Sequence, residues 1–351
     1  MNHFEKPAPE AIRQVRADNP EMRERDLARQ YAISEADLVA AYCGLNVVRV
    51  EPRVADLLRG LEAVGEVMAL TRNESAVHEK IGVYQNVSVG KHNATVLGDD
   101  IDLRIFPGVW KHGFAVEKRD GDDVRRSLQF FDEAGDAVHK IHLRPASDVA
   151  AYDRLVETLR SSDQSQTVAT KAIEQADPME APAGYLGELR ERWIWMKDVH
   201  QFFGILRSLK LSRHQAISTV GEDYAWPLGG DSVAAMMQRS VDGQTPIMCF
   251  VESRGCIQIH SGPIHAVRPM GPWLNVMDPS FHLHLRLDHI VEAWAVRKPT
   301  SDGHVTSIEA YGADRQMIIQ FFGQREEGSP ERDEWRSLVE SLPRARQTEA
   351  A

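Results

Sequence analysis

The spacing of apolar residues along this chain changes twice, and then the same changes recur. Between residues 10 and 43 the apolar positions fall in short helical runs. The clearest, RDLARQYAISEADLVAAY, turns at Ser34 with Asp37 three residues on, a pairing that caps a helix start. From about Leu57 to Leu143 the period shortens to two, in EVMALTRN, AVHEKIGVY, NATVLG, IDLRIF, FAVEKRD, RRSLQFF and AVHKIHL, each bounded by turn residues. These runs predict an antiparallel sheet. A helical pattern, DVAAYDRLVETLR, follows, and residues 161 to 185 then lose any sustained period, which predicts a linker.

Shifting the chain against itself by 180 positions lays the strand region before the linker on the one after it. Met68 meets Met248, Gly82 meets Gly262, and Leu103, Ala115, Val116 and Lys118 meet Leu283, Ala295, Val296 and Lys298. VETL and VESL align at the two ends after a three-residue insertion. The chain therefore reads as a tandem duplication of an α+β domain, a large antiparallel sheet with flanking helices. Its parts are an N-terminal repeat over 1–160, a linker over 161–185 and a C-terminal repeat over 186–351.

One helical segment stands out within the second repeat, WIWMKDVHQFFGILRSLKLSR from Trp193 to Arg213. Val199, Phe202, Phe203, Leu206 and Leu209 follow three-and-four spacing, which predicts an amphipathic helix starting near Asp198 and burying one face against a sheet. His200 lies beside that stripe, and Gly204 one turn on leaves room for a flat ligand. A histidine beside two phenylalanines is nonetheless more often a hydrogen-bonded core residue than a ligand. Aligning Ser34 with Ser212 sets Met22 opposite His200 and Glu35 opposite Arg213, so the candidate ligand exists in one repeat only. One ligand per chain is the expectation.

Composition narrows the class. A chain of 351 residues, 42% hydrophobic, suits two domains of ordinary size. A formal charge of -11 without long basic runs disfavours nucleic acid as a partner, since phosphate neutralisation needs clustered Lys and Arg. The helices near Ser34 resemble a helix-turn-helix, but Glu35 and Asp37 would face phosphates. Cys43, Cys249 and Cys256 lack CxxC spacing, which disfavours disulfides and structural zinc and fits a reducing compartment. With no apolar leader and no run of about eighteen apolar residues, the expected location is the cytoplasm.

KDVHQFFGILRSLKLSR, IMCFVESRGCIQI, WAVRKPTSDGHVTS and QFFGQREEG, in that order, resemble the HemS-type family of cytoplasmic haem-carrier or haemin-degrading proteins. The resemblance runs from about Arg25 to Leu342. It implies haem as ligand or substrate, with His200 as axial ligand of the haem iron. It also implies basic propionate contacts from Arg213, Lys298 and Arg325, a polar contact from Gln320 and an apolar wall from Phe250. Arg104 in IDLRIF matches the family's distal arginine, with Phe106 on the same side of the strand and the haem between the two halves. An arginine keeps its proton, so Arg104 orders water or a bound anion rather than binding iron. Phe322 stands where relatives carry tyrosine, so that phenolic contact is missing.

The function expected from the resemblance is haem carriage in bacterial haem uptake and iron acquisition, with an inner-membrane importer or a haem-accepting protein as partner. The alternative is an enzyme that opens the porphyrin and frees iron, which needs an external electron donor because no flavin or nicotinamide motif is present. His282 and His284 alternate on one strand face without a visible third ligand, and His78, His139 and His142 lack metal spacing. No GxGxxG, Walker or GxSxG motif supports nucleotide or serine chemistry.

Overall fold

The computed structural model describes residues 6–173, 184–325 and 328–345. Two compact units make up the chain, the first from residues 1–72, 78–174 and 252–258 and the second from 73–77, 175–251 and 259–351. Each unit thus includes one short segment drawn from the other repeat.

In the first unit three helices, α1 (Pro9–Asp18), α2 (Glu24–Gln30) and α3 (Glu35–Ala40), precede the sheet. The Ser34 hydroxyl and the Asp37 carboxylate form the capping box that the sequence predicts. The strands are β1 (Val47–Val50), β2 (Val67–Arg72), β3 (Ala76–Gly82), β4 (Val87–Val89), β5 (Ala94–Leu97), β6 (Asp102–Ile105), β7 (His112–Asp120), β8 (Asp123–Phe131) and β9 (Ala137–Leu143). They run in the orders β1-β7-β8-β9-β2-β3 and β6-β5-β4. Helices α4 (Val54–Val64) and α5 (Val149–Leu159) bury Leu57, Leu58, Leu61, Leu155 and Leu159 against Leu128, Phe130 and Ile141. Each such leucine contributes about 1.5–3 kcal/mol. Residues 161–171 were expected to be linker, yet they lie against this unit. Gln164 and Gln166 hydrogen-bond the backbone of Arg49 and Cys43, and Val168 joins a buried cluster. Of that expected linker, residues 174–183 lie outside the described residues.

The second unit repeats the plan. Helices α6 (Tyr185–Ile194), α7 (Gln201–Leu209) and α8 (Arg213–Thr219) lead into β10 (Ala225–Leu228), α9 (Ser232–Asp242), β11 (Ile247–Glu252), β12 (Cys256–Gly262), β13 (Val267–Met270), β14 (Trp273–Met277), β15 (Phe281–Arg286), β16 (Glu292–Thr300), β17 (Gly303–Tyr311), β18 (Met317–Gly323) and α10 (Asp333–Glu340). The order β10-β16-β17-β18-β11-β12 matches that of the first unit. Register confirms the duplication residue by residue: Val47 pairs with Val116, and Ala225 with Val296. The β8–β9 and β17–β18 ladders carry the same irregularity, at Phe130/Phe131 and Ala310/Tyr311. A second capping box, Ser212 with Gln215, supports setting Ser34 against Ser212.

One difference between the two cores is a buried polar group. In the first, His139 Nδ1 lies 2.8 Å from Thr71 Oγ and Nε2 lies 2.6 Å from the Tyr84 hydroxyl, while Thr71 donates to Cys256 Sγ at 3.5 Å. Because the Thr71 proton goes to sulfur, Nδ1–H donates to Thr71 and Nε2 accepts from Tyr84. Burial, helped by the charge of His142, brings the pKa of His139 down to about 3. The matched positions of the second core are Val251, Ile264, Ile319 and Ala76, all buried and apolar.

Candidate functional site

The segment expected to be one helix from near Asp198 is divided. α6 ends at Ile194, a turn follows, and α7 begins at Gln201 with His200 as its N-cap residue. Side chains set that start: Asp198 accepts from the His200 backbone N–H at 2.7 Å, and Gln201 accepts from Lys197 N–H at 2.8 Å. Phe202, Ile205 and Leu209 are buried with Val296 and Tyr311 of the sheet. Phe203, placed by periodicity on the buried stripe, is instead 55% exposed, as is Trp195 at 73%. A Cβ built on Gly204 meets no atom within 4 Å.

His200 is likewise not a core residue, since its side chain is 79% exposed. Its Nδ1 lies 2.7 Å from Asp198 Oδ1. A carboxylate accepts, so Nδ1 carries a proton, and in the neutral ring Nε2 keeps its lone pair. The Asp198 pKa is lowered first by its bond to the His200 backbone, then by the imidazole and by the charge of Arg325.

Three more of the expected residues, Lys298, Gln320 and Phe250, share one sheet face. Pairing of Ser307 with Phe322, Glu309 with Gln320 and Phe250 with Gln320 lines up Lys298, Ser307, Glu309, Gln320, Phe322 and Phe250. Lys298 and Gln320, with Arg213 from the start of α8, converge on Glu309, a residue that sequence reasoning missed. Its carboxylate is fully buried and accepts from Arg213 Nε and Nη2 at 2.7 and 2.8 Å, from Lys298 Nζ at 2.9 Å and from Gln320 Nε2 at 2.9 Å. Ser307 and Tyr311 hydroxyls donate to it at 3.0 and 2.6 Å. Burial works to raise the Glu309 pKa, but Arg213 and Lys298 outweigh it and hold the group well below the usual carboxylate range. Burial brings Lys298 down to about 8. Two cations against one carboxylate leave the cluster net positive.

Arg213 ties this cluster to the histidine corner, because its guanidinium lies over the Phe202 and Phe203 rings at 5.4 and 5.9 Å. Phe250 packs edge-on against Phe322, with centroids 5.2 Å apart. A signal for Glu309 was present in the strand GHVTSIEAY, where a lone carboxylate alternates with Ser307 and Tyr311 on a buried face. Asp198 was legible as the acid two residues before His200.

Arg104 lies in the first unit, ion-paired with Asp102 two residues back on the same strand. β6 ends at Ile105, so Phe106 begins the following turn, with its N–H on the Gly255 carbonyl, rather than extending that strand face. At the first repeat's counterpart of the Glu309 cluster the charges are rearranged. Gln129 replaces the glutamate, and Glu35 replaces Arg213 and pairs with Arg72 and Lys140.

The model of the haemin-degrading HemS/ChuX domain family matches twice, over residues 32–159 and 210–342. The chain belongs to this family. The hemin transport protein HemS of Yersinia enterocolitica is a family relative 39% identical over 341 residues, covering 94% of this chain and 95% of that protein. The crystal structure of holo-PhuS, a heme-binding protein from Pseudomonas aeruginosa, superposes with a TM-score of 0.92 at 41% identity, covering 96% of this chain and 99% of that one. The Escherichia coli O157:H7 heme degrading enzyme ChuS gives 0.88 at 35% identity, covering 96% and 100%. HemS-family membership agrees with the duplicated α+β fold. No helix among the described residues is long and apolar enough to cross a membrane.

Proposed function

We propose that this chain binds one haem through its second unit and carries it in haem uptake, as a cytoplasmic protein that receives haem from an importer and passes it to an acceptor. The observation that carries this reading is the corner at His200. Asp198 holds Nδ1, Nε2 keeps the lone pair an iron ligand needs, and the uncovered Trp195, Phe203 and Gly204 provide apolar surface for a macrocycle. His200 is the axial ligand in this reading. Arg213, Lys298 and Arg325, with Gln320, supply the positive and polar surroundings for propionates, and Phe250 an apolar wall. Glu309 acts as the anchor that keeps Arg213 and Lys298 in place.

Haem titrated into the full chain and followed at the Soret band is expected to saturate at one equivalent. His200→Ala should change the iron spectrum, whereas Asp198→Ala should retain the stoichiometry and lose about 10- to 100-fold in affinity. Two specific equivalents, or an unaltered spectrum in His200→Ala, would overturn the reading.

The degradative alternative draws on the family's description and on the relative named as a heme degrading enzyme. Under it, haem is a substrate, electrons come from an external donor, and Arg104 is the distal residue. Incubation with a reductase system and catalase separates the two readings. A defined tetrapyrrole under multiple turnover, lost in Arg104→Ala while haem stays bound, favours degradation; catalase-suppressed bleaching favours carriage.

A further inference from the structure

Helix α8 has only seven residues, and two neighbouring side chains of its first turn fasten it to the sheet. Arg213 reaches Glu309 on β17. His214, the next residue, is 7% exposed and reaches a second carboxylate on the adjacent strand β16. Its Nε2 lies 2.8 Å from Glu292 Oε2, and Trp294 Nε1 donates to the same oxygen at 2.8 Å. A carboxylate accepts, so His214 Nε2 carries a proton. Trp294 and Tyr311 meet the imidazole edge-on, with centroids 6.4 and 5.3 Å away.

Register sets this second contact beside the first. Glu292 pairs with Tyr311 and Trp294 with Glu309, so these side chains share the sheet face that also carries Lys298. Tyr311 belongs to both contacts, since its ring meets His214 and its hydroxyl donates to Glu309 at 2.6 Å. A helix held by one side chain can pivot about it. Held by two on different strands, α8 presents Arg213 in one orientation.

The first repeat has neither fastening. Glu35 and Ala36 stand at the matched positions of Arg213 and His214, and His112, Phe114, Gln129 and Phe131 at those of Glu292, Trp294, Glu309 and Tyr311. There Ala36 packs with Phe114 and Phe131, and its N–H donates to the Gly135 carbonyl at 3.0 Å. These positions differ together, and the repeat that keeps the polar set is the one that carries His200.

We propose that His214, held by Glu292, is a positioning residue for haem. It sets the start of α8 so that the Arg213 guanidinium lies over Phe202 and Phe203 and against Glu309, ready for a propionate. The inference rests on the haem reading above. His214 acts only through Arg213, so its effect on haem disappears where Arg213 is absent. A contribution to stability alone would be felt in either background.

Transfer of haem from the loaded full chain to excess apomyoglobin gives the rate of haem loss. His214→Leu should speed it about tenfold with the axial spectrum unchanged, a size usual for coupling between contacting residues. His214→Gln, whose amide can still donate to Glu292, should restore the slow rate. Arg213→Ala should lose haem about 10- to 100-fold faster, and His214→Leu added to it should change nothing more. A second readout needs no haem. In NMR spectra of the haem-free chain the Arg213 Nε–H, assigned by its loss in Arg213→Ala, should exchange slowly with solvent, faster in His214→Leu and slowly again in His214→Gln. Unchanged exchange in His214→Leu overturns the proposal, as does an equal acceleration of haem loss by His214→Leu with and without Arg213. So does an unaltered rate in His214→Leu while Arg213→Ala speeds haem loss. If Arg213→Ala itself leaves haem loss unchanged, the haem reading of the cluster fails instead, and the exchange measurement still decides whether His214 places Arg213.

Discussion

A carboxylate without access to solvent stays charged only where enough donors replace its water, and Glu309 has six such hydrogen bonds from five side chains. Glu309→Gln should therefore destabilise the chain by about 3–5 kcal/mol in urea unfolding at neutral pH, because Lys298 and Arg213 would remain buried without a counter-charge. The sign with pH follows from its depressed pKa. The native state holds the proton off further into acid than the unfolded chain does, so this stabilisation is complete above the ordinary carboxylate range and is lost as pH falls through the folded value. Glu309→Gln should remove that part of the acid transition; an unchanged profile would show that Glu309 is not held by its cations. The cluster also explains what could be read beforehand at this scale. Lys298, Gln320 and Arg213 were legible as residues of one locality, but that they close on a carboxylate depends on strand register, which no local pattern encodes.

Among elements, the helix start at Ser34 and the alternating strands were legible because local chemistry decides them. α7 was legible only in part. Periodicity placed Phe203 on the buried stripe, but the width of the stripe that the sheet covers is set by tertiary packing, and Phe203 falls outside it. His139 shows the same limit. AVHKIHL reads as a strand, yet nothing in it announces a neutral imidazole held between Thr71 and Tyr84. That state has a pH consequence. The unfolded chain takes up a proton near 6.5 and the native His139 only near 3, so stability should fall as pH drops from 6.5 towards 4, by up to about 1.4 kcal/mol per unit. His139→Ile, the residue of the matched position Ile319, should be less stable at pH 7 because two hydroxyls lose a partner. Its stability should also decline less steeply below pH 6.5. Urea midpoints measured from pH 7 to 4 check this, and parallel profiles would refute it.

At the scale of the whole chain, each unit is completed by residues of the other repeat. Cys256 lies in the core of the first and Ala76 in the core of the second, while Trp110 Nε1 donates to the Gly255 carbonyl at 3.0 Å and Asn73 to the Ile318 carbonyl at 2.8 Å. Fragments 1–174 and 175–351 should therefore each melt below the intact chain and gain stability when mixed. Fragments as stable alone as together would show that the borrowed segments are dispensable. The sequence comparison found the duplication but not this exchange, since a shift of 180 matches positions without saying which copy a loop serves. The same exchange bears on ancestry. A deletion that removes one copy also removes the loop that finishes the other, so a gene of this kind does not readily return to a single copy. Specialisation then proceeds by point changes at matched sites, and Met22 facing His200 and Glu35 facing Arg213 record where the copies parted.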